Sequence, residues 1–299
     1  MFRKAIVVGV DGSSESLRAA QVARRIGEAV GGSVRLQVTH AVPEARLAKA
    51  VGPVPVYVSG LFARALADTR RDLAGRLRGL VPPAALETLD VRAGRAAQVL
   101  ADTVARRRAG LVVLGGKRHG ALARTVRGST AHYLARALDI PILVTAAGGA
   151  ALRRVLVAVD LSTATGRTLA TGVALARALG ARVRVLHVME PIRYAYVVLR
   201  APDTKAVLER SRAALRRMVA RYGIAETDTV VRRGAAVDAI ASEADEWRAD
   251  LIVVGSQGKG FVDRLLIGST TESLLARLPA SLLIVPVARG KASRSRARR

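Results

Sequence analysis

Residues 251–271 read Leu-Ile-Val-Val-Gly-Ser-Gln-Gly-Lys-Gly-Phe-Val-Asp-Arg-Leu-Leu-Ile-Gly-Ser-Thr-Thr. The apolar run Leu251–Val254 ends in Gly255-x2-Gly258, and nine residues later comes Gly268-Ser269-Thr270-Thr271. A short, unbroken apolar run predicts a strand buried on both faces. Glycines at its exit let backbone N–H groups approach a phosphate closely. Gly-Ser-Thr-Thr at the start of a following helix adds amide donors, hydroxyls and the positive end of the helix dipole. The layout suits a nucleotide. With 27 glycines in 299 residues, the motif needs support from its surroundings.

That support is a repeat. Gly115, Gly120, Arg124 and Gly128-Ser129-Thr130 stand 140 residues before Gly255, Gly260, Arg264 and Gly268-Ser269-Thr270. Gly94 stands the same 140 residues before Gly234. Upstream, Val7-Val8-Gly9-Val10-Asp11 answers Leu156-Val157-Ala158-Val159-Asp160, and Val38-Thr39-His40 answers Val185-Leu186-His187. The chain therefore reads as two copies of one module of ordinary domain size. The expected boundaries are 1–147 and 151–288, joined through the small residues Ala146–Ala150, with a basic, disordered tail at 289–299. Asp11 to Gly115 is nine residues longer than Asp160 to Gly255, and the Pro/Gly stretch at 41–59 is where the excess is expected.

Composition narrows the chemistry. Half of the residues, 51%, are hydrophobic, enough for two cores. There is no cysteine, which excludes disulfides, thiolate catalysis and Cys-ligated metal; the four histidines form no metal-binding pattern. No apolar run reaches the roughly 20 residues of a membrane helix. Met1-Phe2-Arg3-Lys4 and the short run after it read as a first strand rather than a leader, and a cytoplasmic location is the expectation. The net charge is +26, and residues 291–299 hold five basic residues and no acid. Such an excess attracts polyanions, and nucleic acid binding through the tail is an alternative. Aromatic content of 3% argues against a base-stacking platform, and solvated arginine faces are the plainer reading.

In the second copy, strands are expected at Arg154–Val159, Arg182–Val188, Asp228–Val231, Leu251–Val254 and Leu282–Val287. Helices are expected at Thr163–Leu179, Thr204–Tyr222, Ala235–Trp247 and Ser269–Arg277, with Gly180 and Gly223 as stop signals. Strict alternation implies right-handed crossovers and a parallel sheet covered on both faces. The fold class is α/β: two tandem, doubly wound, five-stranded parallel-sheet modules of Rossmann-like type. In such sheets ligands bind at the carboxyl ends of the strands, where Asp160, Val188 and Gly255 all fall.

These residues give the chain a resemblance to the universal stress protein family in a tandem form. It is carried by Gly255-x2-Gly258-x9-Gly268-Ser269, the strand-end Asp11 and Asp160, Leu186-His187-Val188, and Val10-Asp11-Gly12-Ser13-Ser14-Glu15-Ser16. The resemblance implies a stress-response regulator of the ATP-binding subset, with Mg2+ as an accompanying ion. It implies adenine near Asp160 and Val188. It implies phosphates at Gly255, Ser256, Gly258, Gly268, Ser269 and Thr270, with Val254 and Thr271 as further nucleotide-binding residues. In the first copy the corresponding residues are Asp11, Gly115, Gly128, Ser129 and Thr130, but Arg118 replaces the glycine at the Gly258 position. An arginine there either obstructs or contacts phosphate itself, so the second copy is expected to hold nucleotide more reliably. The resemblance further implies an internal pseudo-dimer of the two modules, with a homodimer of chains as an addition.

Each residue also has a plainer reading. Asp160 suits a cap before Ser162-Thr163. His40 and His187 fit either hydrogen-bonded structural roles or ligand contacts. Lys117, Lys259 and Arg264 suit phosphate partners or solvated loops, Trp247 suits packing, and Tyr194 and Tyr196 suit a surface loop or a ligand cover. No catalytic residues are assigned: neither G-x-x-x-x-G-K-[ST] nor a triad elbow is present. Nucleotide binding without dedicated catalysis is the reading; slow ATP hydrolysis and a cyclic nucleotide ligand are the alternatives.

Overall fold

The computed structural model describes residues 4–31, 34–51, 59–116, 130–147, 151–162, 165–190, 204–257 and 267–287. The chain divides into two compact units, Met1–Ala151 and Leu152–Arg299.

In the first unit the strands are β1 (Ile6–Gly9), β2 (Leu36–Val42), β3 (Asp90–Ala93), β4 (Leu111–Gly115) and β5 (Ile142–Thr145). Between them run α1 (Ser14–Ala29), α2 (Glu44–Val51), α3 (Ser59–Leu77), α4 (Pro83–Glu87), α5 (Ala96–Arg107) and α6 (Thr130–Ala137). The spatial order is β3-β2-β1-β4-β5, and each neighbouring pair is parallel. The chain thus winds outward from β1 through β2 to β3, then returns to β4 on the other side. With right-handed crossovers this puts α1 and α3 on one face and α5 and α6 on the other; α1 packs beside α3 and α5 beside α6.

The second unit repeats the plan with β6 (Arg154–Val159), α7 (Thr165–Leu179), β7 (Arg182–Met189), α8 (Thr204–Ala220), β8 (Thr229–Arg233), α9 (Ala236–Glu246), β9 (Leu251–Gly255), α10 (Ser269–Arg277) and β10 (Ser281–Val285). Its order is β8-β7-β6-β9-β10, again parallel throughout. This is the α/β, five-stranded, doubly wound architecture that the alternation of patterns implies.

Both sheets are buried from two sides. Val7, Val8, Leu111, Val112 and Val113 in the first unit, and Leu251, Ile252 and Val253 in the second, have at most 1% of their surface exposed. Each contributes about 1.5–3 kcal/mol of hydrophobic stabilisation. The sheet can therefore shift little, and the strand ends become fixed points for a site.

Several boundaries differ from the sequence expectation, with tertiary causes. β8 runs on through Arg232 and Arg233, which polarity suggested were loop. Arg232 is carried inside because its guanidinium meets Glu243 at 2.6 Å on α9, which is 2% exposed; Arg184 of β7 reaches the same carboxylate at 2.7 Å. The Glu246 and Glu243 partners raise the Arg232 pKa above its ordinary value. The guanidinium of Arg184 stacks 4.8 Å from the centre of the Trp247 ring, and Trp247 is buried, a packing role. In the first unit the stretch at 41–59 is not simply loop, since α2 occupies much of it. The tail at 288–299 lies outside the described residues, as do Tyr194 and Tyr196. Among the described residues no helix is long and apolar enough to cross a membrane.

Candidate functional site

β6 pairs with β7 on one side and β9 on the other, and the chain leaves these two strands in opposite directions. The strand order reverses between β6 and β9, and doubly wound sheets bind ligands at the carboxyl ends of the strands beside such a switch point. A cavity of about 620 Å³ lies there. Its floor is the strand exits: Val159 and Asp160 after β6, His187, Val188 and Met189 on β7, Val254 and Gly255 on β9. Thr165 and Thr168 of α7 and the run Gly268–Thr271 of α10 give its wall a polar part, and Val207 of α8 with Ala236 and Ile240 of α9 gives it an apolar part.

The β9 exit and the α10 start are stitched together. The Thr271 hydroxyl donates to the Gly255 carbonyl at 2.8 Å, and the Gly268 N–H donates to the Ser256 carbonyl at 2.8 Å. α10 begins at Gly268 without a side-chain cap. The first-turn amides of Ser269, Thr270 and Thr271 therefore lack intrahelical acceptors and present a positive helix end to the cavity. Ser256 is placed differently from the other motif residues. Its hydroxyl accepts from the Val287 N–H at 3.2 Å, its own N–H donates to Val285, and it is not among the cavity-lining residues. Its work is to hold the loop exit.

Asp160 caps its loop and also lines the cavity. Oδ1 accepts from the Ser162 N–H at 3.0 Å and from the Thr165 hydroxyl at 2.6 Å, while the side chain lines the cavity. Leu161, next in the chain, has φ +57°, a left-handed conformation that costs a non-glycine residue about 1 kcal/mol. Its counterpart in the first unit is Gly12, at φ +81°. His187 lines the cavity, and its Nδ1 lies 2.9 Å from the Val159 carbonyl; His40 stands 2.6 Å from the Val10 carbonyl. A carbonyl only accepts, so Nδ1 carries the proton in both. The two histidines tie the ends of neighbouring strands together, the structural role.

Of the residues singled out in the second copy, Asp160, Val188, Val254, Gly255, Gly268, Ser269, Thr270 and Thr271 surround this cavity. Gly258, Lys259 and Arg264 lie outside the described residues, as do Arg118, Lys117, Gly128 and Ser129 in the first copy. Asp11 accepts from the Ser13 N–H at 3.0 Å, like Asp160, and Thr130 opens α6. Gly115, however, sits against the backbone of α1. A Cβ placed there would lie 2.6 Å from the Ser16 nitrogen. A Cβ on Gly255 would meet the Gln257 carbonyl and the Thr168 hydroxyl, both at 3.2 Å.

A universal stress protein family profile matches residues 2–146 and again 151–286. The chain belongs to the universal stress protein family. A universal stress protein of Thermus aquaticus is 33% identical over 134 residues, 44% of this chain and 98% of the relative. One from Mycobacterium tuberculosis is 32% identical over 178 residues, 56% of this chain and 60% of the relative. A universal stress protein structure from Archaeoglobus fulgidus aligns over 96% of this chain and 99% of its own, with TM-score 0.65 and 17% identity. One from Pseudomonas aeruginosa covers 95% and 93% with TM-score 0.62 and 20% identity. At such identities the two structures show the shared fold.

The sequence reading missed Thr165, Thr168, Gln257, Glu190, Val207, Ser211, Ala236 and Ile240 as lining residues of this universal stress protein. Thr165 and Thr168 left a signal: hydroxyls at i, i+3 on the face of a helix that is otherwise apolar. Val207, Ala236 and Ile240 left none, since apolar residues on amphipathic helices read as core.

Proposed function

We propose that the second unit binds an adenine nucleotide, ATP accompanied by Mg2+, and acts as a regulatory protein rather than a dedicated enzyme. One observation carries the reading. Residues from three strand exits and an uncapped helix start, separated by up to 111 positions from Asp160 to Thr271, line one cavity that carries both polar groups and apolar side chains. The donor set fits a phosphate: three first-turn amides, the hydroxyls of Ser269, Thr270 and Thr165, and the helix dipole. Among the described lining residues there is no lysine or arginine, so neutral donors hold the phosphates in that part of the site. The base lies toward Asp160, Val188 and the apolar wall. Occupancy acts by biasing a loop or an interface. In the first unit α1 stands on the strand-exit glycine, which supports a single occupied site per chain.

Native mass spectrometry of the freshly purified protein tests this. The expected result is one adenine nucleotide per chain, retained or taken up on titration. Absence of any bound or titratable adenine nucleotide sinks the proposal, and two per chain sinks its asymmetry. Steady magnesium-dependent turnover that a Gly258→Arg variant loses would instead make the protein an ATPase.

A further inference from the structure

We infer that Glu190 selects the base in this cavity, favouring a purine that carries an exocyclic amino group over one that carries a carbonyl there. The inference rests on the reading that the cavity takes a nucleotide. Glu190 follows β7 directly and lines the cavity beside Met189, Val207, Ala236 and Ile240. Those neighbours are apolar, and the strand order β7-β6-β9 sets the exit that carries Glu190 two strands away from the exit that leads to the α10 amides. Asp160 and Glu190 are the two carboxylates among the described lining residues. The loop and α7 occupy Oδ1 of Asp160, whereas Glu190 stands beside the apolar residues.

The Glu190 side chain is anchored. Oε1 accepts from the Ala236 N–H at 3.0 Å, at the start of α9, whose N-cap Ala235 offers no side-chain acceptor. A carboxylate has further acceptor positions and no donor. It rewards an amino group placed against it and repels a carbonyl oxygen. Helix capping alone does not account for the residue. The Gly234 N–H donates to Met189 at 3.1 Å as the Gly94 N–H donates to Val42 at 3.0 Å, so the two units are in register here. That register places Pro43 opposite Glu190, and α5 also starts without a side-chain cap. The first unit folds the same helix start with no carboxylate. The residue that differs is the one facing the cavity.

Calorimetric titration of the full chain with ATP and with inosine triphosphate, which differs at the exocyclic position, tests the inference. The unaltered protein should prefer ATP by about tenfold or more, the usual worth of a charge-assisted hydrogen bond. In Glu190→Gln the amide oxygen keeps the bond to Ala236 and the NH2 turns to the ligand. ATP should then weaken, inosine triphosphate should tighten, and the preference should vanish or reverse, with the ligand-free melting temperature unchanged. A preference that survives Glu190→Gln, or no preference in the unaltered protein, overturns this inference alone. Binding of neither nucleotide overturns the nucleotide reading as well.

Discussion

At the carboxyl edge of the first sheet, the backbone of α1 rests on Gly115; in the second, α7 approaches Gly255 through the Thr168 hydroxyl. The Ser16 amide would be 2.6 Å from a side chain on Gly115, while the amide of its counterpart Thr165 is farther from Gly255 than the Thr168 hydroxyl at 3.2 Å. The same repeat thus supports a tight helix contact at one strand exit and a looser one at the other. The interiors differ in kind too. Between β8 and α9 the second unit buries Glu243 against Arg184 and Arg232. The corresponding residue of the first unit is Thr103, whose hydroxyl meets Arg92 at 2.6 Å and Val99 at 2.8 Å. A duplicated fold keeps its strand order while charge and space are redistributed inside it.

The largest test of this contrast is Glu243→Ala. It leaves two arginines facing a gap and should cost about 3–5 kcal/mol in urea unfolding of the second unit, whereas Thr103→Val should cost only about 1 kcal/mol in the first. Equal losses would erase the distinction. Next comes Gly115→Ala, which drives a methyl into the α1 backbone and should destabilise the first unit by roughly 2–3 kcal/mol. Gly255→Ala, whose methyl meets atoms at 3.2 Å, should cost clearly less while lowering nucleotide affinity. Hydrogen exchange resolved by unit would show whether the effects fall on opposite sides. Thr271→Val removes the hydroxyl bond to Gly255 and should cost about 1–2 kcal/mol, seen as faster exchange at the start of α10; the first unit has Ala131 there and has no such bond to lose. The smallest effect is Leu161→Gly. Relief of the left-handed strain offsets the added flexibility of the unfolded chain, and stability should stay within about 1 kcal/mol of the parent. A larger drop would mean that the Leu161 side chain matters more than its backbone.

Much of this was legible in the residues. The period of the repeat, the apolar runs and the glycine exits placed nearly every strand, because burial on both faces leaves an unbroken apolar signature. The polar half of the candidate site was legible for the same reason, since Gly255 and Gly268–Thr271 are residue types chosen by backbone approach and helix starts. The apolar half was not. Val207, Ala236 and Ile240 look like any core residue, and Glu190 looks like a solvated loop carboxylate until Ala236 is found beside it. Arg232 read as lying past the end of a strand, because the buried carboxylate that holds it lies 11 residues further on, on α9. The arginine at 118 marked the two copies as unequal, but the close approach of α1 to the first strand exit left no mark beyond Gly115 itself.

By itself the sequence determined the fold class, the duplication and which residues fall at the carboxyl ends of the strands, because local periodicity and backbone requirements are written in residue type. Tertiary structure decided how closely α1 approaches Gly115, that the Ser256 hydroxyl bonds Val287, and that Glu190 lines the cavity beside the start of α9. Those outcomes depend on how closely a helix approaches a strand, a distance of an ångström or less that packing sets and no local pattern encodes.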